Sequence, residues 1–173
     1  MKLEDTYVYK DAAGDPVMQV LRFREDDGGK TFRQQRYENG EWVWGTQGIE
    51  KPLYRLPEII EQIKNDGIVY VVEGEKDVAT LERLGKVATC NPGGAGAEGQ
   101  EKWLSNHTKT LAGAKVVIIA DNDEPGEIHA SNVAAQLREA GSKVKVFKPT
   151  NGKDISDHIG SGAELSDLKI VAG

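Results

Sequence analysis

One cysteine, three histidines and no long apolar run stand in a chain of 173 residues, and each scarcity removes a class of protein. Cys90 alone forms neither a disulfide framework nor a cysteine-based zinc site, and His107, His129 and His158 are too scattered to supply one. The apolar runs fall far short of the roughly 20 residues that a membrane-spanning helix requires. The opening residues Met1-Lys2-Leu3-Glu4 lack the apolar stretch of a secretory signal. A reducing cytoplasmic compartment, with no membrane partner, is therefore the expectation. Basic residues are in deficit too: 22 Lys and Arg against 28 Asp and Glu leave a net charge of −6. That balance argues against tight nonspecific binding of duplex DNA. It leaves weaker binding of a single strand open, because acids that hold metal ions are partly neutralised where they sit.

What is present centres on residues 115–126. A short β-branched run at residues 116–120 reads as a strand buried on both faces. It ends in Asp121-Asn122-Asp123-Glu124, and Pro125-Gly126 breaks the strand before a helical pattern over residues 127–140. If Asp121 and Asp123 stay extended, their side chains point to one side. Two carboxylates so close favour a cation between them, and oxygen-only ligation suits magnesium. The same residues also suit a polar turn that caps the next helix. This stretch alone admits both readings.

The chain falls into three parts by pattern. Residues 1–66 read as a small antiparallel, β-rich subdomain with one helix. Turns are expected at residues 11–16 and 26–29, and Asn39-Gly40 is a hairpin signal. Its aromatics are assigned to core and cross-strand packing rather than to base stacking. Arg22, Arg24, Arg33 and Arg36 are placed as a basic stripe on one face. Pro57 near a helix start puts Ile59, Ile60 and Ile63 on one side. Residues 67–160 alternate strand and helix: strands at 68–72, 87–90, 116–120 and 144–147, helices at 76–84, 98–108 and 127–140. That repetition implies a parallel sheet flanked by helices, an α/β fold. Residues 161–173 read as a tail.

Three of those strands end in acids. Glu73-Gly74 follows the first, Asp121 and Asp123 the third, and Lys153-Asp154 with Asp157 the fourth. If the first and third strands are neighbours, Glu73 lands beside the aspartates. The second strand leads to a glycine-rich loop at residues 91–97 whose amides could approach a phosphate.

Glu73-Gly74-x-x-Asp77 and Asp121-x-Asp123-x-x-Gly126, each after a strand, resemble the Toprim domain, and the primase branch of that family most. Lys153-Asp154 with Asp157 resembles the third acidic motif of phage primase-helicases and bacterial replicative primases. The meander ending in Lys51-Pro52-Leu53-Tyr54 resembles the subdomain that precedes Toprim in phage and prophage primases. The resemblance implies a Toprim-like parallel sheet and metal-dependent nucleotidyl transfer on a single-stranded DNA template, with Mg2+ or Mn2+ as cofactor and nucleoside triphosphates as substrates. It implies Glu73, Asp121 and Asp123 as catalytic residues, and these three with Asp154 as metal ligands. Glu73 is either ligand or acid/base, and Asp157 is the loosest match. Lys51, Arg22 and Arg36 are its nucleotide or template contacts. A complete enzyme of this kind also carries a cysteine-rich zinc module, and many phage versions add a helicase; neither motif is in this sequence. The chain therefore reads as a catalytic fragment or a small stand-alone relative. A Toprim nuclease using the same acids, and a non-catalytic replisome adaptor, are the competing readings.

Overall fold

The computed structural model describes residues 1–96 and 100–173. Strands β1 (Lys2–Lys10), β2 (Pro16–Arg24), β3 (Lys30–Glu38) and β4 (Glu41–Trp44) form an antiparallel meander in sequence order. Asn39 and Gly40 both take positive φ, 52° and 81°, which suits the right-handed twist of the hairpin they close. Because paired residues share a sheet face, the register sets Tyr7, Tyr9, Met18, Val20, Phe32 and Gln34 on one side. Tyr9, Met18 and Val20 are buried in one cluster with Val72, Val78 and Cys90 of the α/β part that follows. Full burial of side chains of this size contributes about 1.5–3 kcal/mol each. Buried Tyr9 also donates its hydroxyl to Glu75 Oε1 at 2.7 Å, across 66 residues of chain.

Helix α1 (Leu56–Lys64) turns Ile59 into the core and Ile63 against it, whereas Ile60 is exposed. Then follow β5 (Ile68–Val71), α2 (Glu75–Arg83), β6 (Ala88–Thr89), α3 (Ser105–Leu111), β7 (Lys115–Ile119), α4 (Glu124–Glu139), β8 (Lys143–Lys148), α5 (Ile155–Gly160) and β9 (Lys169–Ala172). The second sheet has the order β6-β5-β7-β8-β9. Four of its strands are parallel, and β9 is antiparallel to β8. The apolar residues of β5 and β7 alternate between two buried clusters, one of which contains Val144 and Val146 of β8 and the inner residues of α4. The expected α/β architecture is therefore present, a mostly parallel sheet flanked by helices and a separate antiparallel sheet before it.

Four local expectations are corrected. Helix α4 starts at Glu124 rather than 127, because Pro125 and Gly126 sit in its first turn, where a missing N–H costs nothing. Helix α3 covers only Ser105–Leu111; of the helix expected from 98 to 108, residues 98 and 99 lie outside the described residues, as does Ala97 of the glycine-rich loop. The segment expected as a tail contributes the fifth strand. The arginine stripe is divided, since Arg33 pairs across from Leu21 on the face opposite Arg22 and Arg36. No helix among the described residues is long and apolar enough to cross a membrane.

Candidate active site at the strand ends

From β5 the chain steps to β6 on one side, then crosses back to β7 on the other. That reversal of direction opens a crevice at the carboxyl ends of β5 and β7, the usual place for a ligand in such sheets. The register brings two acids to it. Val71 pairs with Ile118, so two residues further on Glu73 stands opposite Ala120, adjacent to Asp121. The two carboxyls lie against each other. Burial, with Glu73 beside it, pushes the Asp121 carboxyl up to about 9. Glu73 Oε2 is buried and has no hydrogen-bond partner among the described residues.

Asp123 does what the capping reading proposed. It is the N-cap of α4, and its Oδ1 accepts from Gly126 N at 2.7 Å. The other oxygen, Oδ2, remains available and pairs with Lys153 Nζ at 3.3 Å. Cap and site are thus divided between two oxygens of one carboxylate. Gly126 is a steric requirement of the arrangement, because a Cβ there would lie 2.7 Å from Asp121 Cβ and 2.8 Å from its carbonyl oxygen. Asp154 caps α5 in the same way, accepting from Asp157 N at 2.8 Å. Its charge contributes to raising both Asp121 and Asp77. The loops are tied together by Asn122 N, which donates to Lys153 O at 2.6 Å.

These groups edge a cleft of about 470 Å³ between the meander and the strand ends, lined in part by Glu73, Asp121, Asp123, Lys153, Phe32 and Gln34. Gly93 to Gly96 form another wall; a Cβ on Gly94, at φ 60°, would meet Glu73 O at 3.3 Å. Lys51 is not among the lining residues but holds one of them. Its Nζ donates to Gln34 Oε1 at 3.2 Å, while Asn106 Nδ2 donates to its carbonyl and His107 Nε2 lies 2.8 Å from it. Burial, with Lys102 nearby, holds the Lys51 ammonium below the usual lysine range.

Arg22 and Arg36 are placed differently. Arg22 is buried and paired with Glu4 at 3.2 Å. Arg36 pairs with Glu38 at 3.1 Å and donates to Trp44 O. Neither lines the cleft.

Three further groups stand at the site without a role in the sequence reading, although Asp77 and Lys153 belong to its motifs. Asp77, on the first turn of α2, is buried beside Ser156, which donates to it, and burial raises its carboxyl to about 6. Lys153 neutralises Asp123, and that contact raises its ammonium. His129 lines a small cavity of about 10 Å³ with Glu73 and Asp121. Its Nε2 is buried without a partner among the described residues, and burial lowers the imidazole to about 4. The i, i+3 position of His129 relative to Gly126 put it on the helix face toward the strand ends, a signal available in the sequence.

No curated protein matches the chain. Among solved structures, the zinc-binding and RNA polymerase domains of the Aquifex aeolicus primase are similar at a TM-score of 0.66 and 22% identity, over 90% of this chain and 36% of that one. The primase fragment of the bacteriophage T7 primase-helicase protein is similar at 0.59 and 21%, over 91% and 57%. The RNA polymerase domain of Mycobacterium tuberculosis primase DnaG is similar at 0.59 and 17%, over 86% and 48%. This chain thus spans between 36% and 57% of those chains, and at such identities the likeness is one of fold. The model of the Toprim-like family matches residues 70–159, from β5 through α5. That match takes in more than half of the sequence and every acid of the crevice, and the chain belongs to the Toprim-like family.

Proposed function

We propose that this chain is the catalytic core of a primase-type nucleotidyltransferase, joining ribonucleotides on a single-stranded DNA template. One observation carries the reading: Glu73 and Asp121 are pressed together at the strand reversal, facing a nucleotide-sized cleft. Like charges in contact in a buried place are costly unless a proton or a cation lies between them.

Among the described residues no three His, Cys, Asp or Glu side chains converge as a complete cage. That suits magnesium, which is held by one or two carboxylates, waters and the phosphates of its substrate rather than by an all-protein shell. The unpartnered Glu73 Oε2, the raised Asp121 carboxyl and the oxygen-only donors all fit such an ion. Asp123 lines the same cleft, and the charge of Asp154 acts on Asp121. When bound, Mg2+ or Mn2+ supplies charge neutralisation at the phosphoryl group and makes the attacking hydroxyl more acidic.

The chain's own residues do the rest. In the reaction a 3′-hydroxyl oxygen bonds to the α-phosphorus of a nucleoside triphosphate, the bond to pyrophosphate breaks, and the hydroxyl proton passes to a base. Glu73 Oε2 is an acceptor in reach of the crevice. Lys153, on a flexible and exposed stem, neutralises Asp123 at rest and the departing phosphates during transfer. Lys30 and Lys76 make no ion pair among the described residues, and burial with Arg22 and Lys76 near it lowers the Lys30 ammonium. That local positive charge would give a template strand a path despite the net charge of −6. A helicase or a zinc-binding module would be the partner in a longer parent protein.

The test is extension on single-stranded DNA with ribonucleotides and Mg2+ or Mn2+, with and without a primer, beside a plasmid-nicking assay. Expected is extension that Asp121→Asn abolishes. Nicking without extension would replace this reading with a Toprim nuclease. Absence of both activities would leave a binding adaptor.

A further inference from the structure

Phe32 breaks the pattern of its own strand face. Tyr9, Met18 and Val20, on the same side of the meander, are buried at 0%, 0% and 3% exposure. Phe32 is 53% exposed, yet it lines the cleft that contains Glu73, Asp121 and Asp123. Burial in the core therefore does not account for it; its position opposite Arg22 leaves the ring open to the cleft. Trp44, equally exposed, is no counterpart: its parity with Trp42, which stacks on Tyr37, puts it on the outer face.

Gln34 lies two residues along on the same face and lines the same cleft. Lysine has only donors, so the contact from Lys51 Nζ must fall on Gln34 Oε1. That fixes the amide, leaving Nε2 as a donor with no partner among the described residues. A flat apolar ring, an oriented amide and carboxylates suited to a cation line one cleft, and together they suit a ligand that carries a planar heteroaromatic group and an anionic group.

We infer that Phe32 and Gln34 form a nucleobase subsite: the ring stacks on the base, and Gln34 Nε2 donates to an acceptor on its edge. The inference rests on the nucleotide reading of the cleft, but it concerns binding and not turnover. The base belongs either to the incoming nucleoside triphosphate or to the template strand, and one chemistry serves both.

Equilibrium binding separates the sources and is independent of extension. Fluorescence anisotropy with a short labelled oligodeoxythymidylate, and competition by ATP and GTP in Mg2+, would be measured for the wild-type chain, Phe32→Ala and Phe32→Tyr. Loss of a stacking ring should weaken binding about tenfold, whereas Phe32→Tyr, which keeps the ring, should stay within about twofold. Loss confined to the triphosphates assigns the incoming nucleotide to Phe32, and loss confined to the oligonucleotide assigns the template; either supports the subsite. Because Phe32 is exposed, all three proteins should melt together. Equal binding by wild type and Phe32→Ala, an equal loss in Phe32→Tyr, or no binding of either probe by the wild type would overturn the inference. Failure of extension with the Phe32 effect intact would remove the primase reading and leave the subsite standing.

Discussion

At the scale of single residues, the site is governed by the cost of holding Asp121 against Glu73. The Asp121 carboxyl is ordinary in the unfolded chain and is raised to about 9 in the folded one, so between those values folding retains a proton that the unfolded chain has released. Metal-free stability should therefore decline as pH rises from about 4 toward about 9. Asp121→Asn removes this penalty, and its amide can donate to Glu73. The variant should melt higher than wild type at pH 8 without metal, by roughly 2–4 °C if the gain is about 1 kcal/mol, and the difference should vanish near pH 4. Differential scanning calorimetry across pH checks this; a variant that melts lower throughout would contradict it. The motif made Asp121 and Glu73 visible in the sequence. Their proximity was legible only on the condition that the first and third strands are neighbours, and the pairing of β5 with β7 meets it. His129 and Phe32 were missed because each resembles an ordinary helix or strand residue until its surroundings are known.

At the scale of elements, the acids belong to helix starts as much as to strand ends. The sequence posed cap and metal site as alternatives for Asp123, and the geometry gives Oδ1 to the cap and Oδ2 to the crevice. Asparagine caps as well as aspartate, whereas alanine does not. Asp123→Asn should therefore keep the melting temperature while weakening Mn2+ binding. Asp123→Ala should lose both, with about 0.5–2 kcal/mol of stability. Thermal melts and Mn2+ titrations on the pair separate the roles, and equal metal affinity in wild type and Asp123→Asn would deny the site role. The alternating strands and helices were legible because apolar runs and glycine punctuation mark them. Two boundaries were not. Pro125-Gly126 signals a break and a first helical turn equally well, and β9 is an exposed edge strand whose pattern is decided by pairing with β8.

At the scale of the molecule, function depends on the meander remaining docked, because Phe32 and Gln34 form one wall of the cleft and the strand ends form another. Tyr9 is the polar anchor of that contact, within hydrogen-bonding range of both Glu75 and Cys90. Tyr9→Phe preserves the packing but leaves a buried Glu75 short of a donor, at a cost of about 1–3 kcal/mol. The expected result is a lower melting temperature together with weaker oligonucleotide binding. Unchanged binding despite lowered stability would show that docking does not set the cleft. That an antiparallel meander precedes an alternating α/β part could be read from the change in periodicity. That the parts share a buried cluster could not, since Tyr9, Met18 and Val20 read equally well as the interior of a free-standing meander.

The most direct measurement of the central claim, that the Glu73–Asp121 pair holds a divalent cation, is Mn2+ binding followed by loss of the free-ion electron paramagnetic resonance signal at neutral pH. Wild type should bind with saturation, and affinity should rise with pH as the Asp121 proton becomes easier to displace. Glu73→Gln and Asp121→Asn should each bind at least about tenfold more weakly, as loss of a direct ligand implies. Wild-type affinity in both variants, with each still folded, would contradict the account.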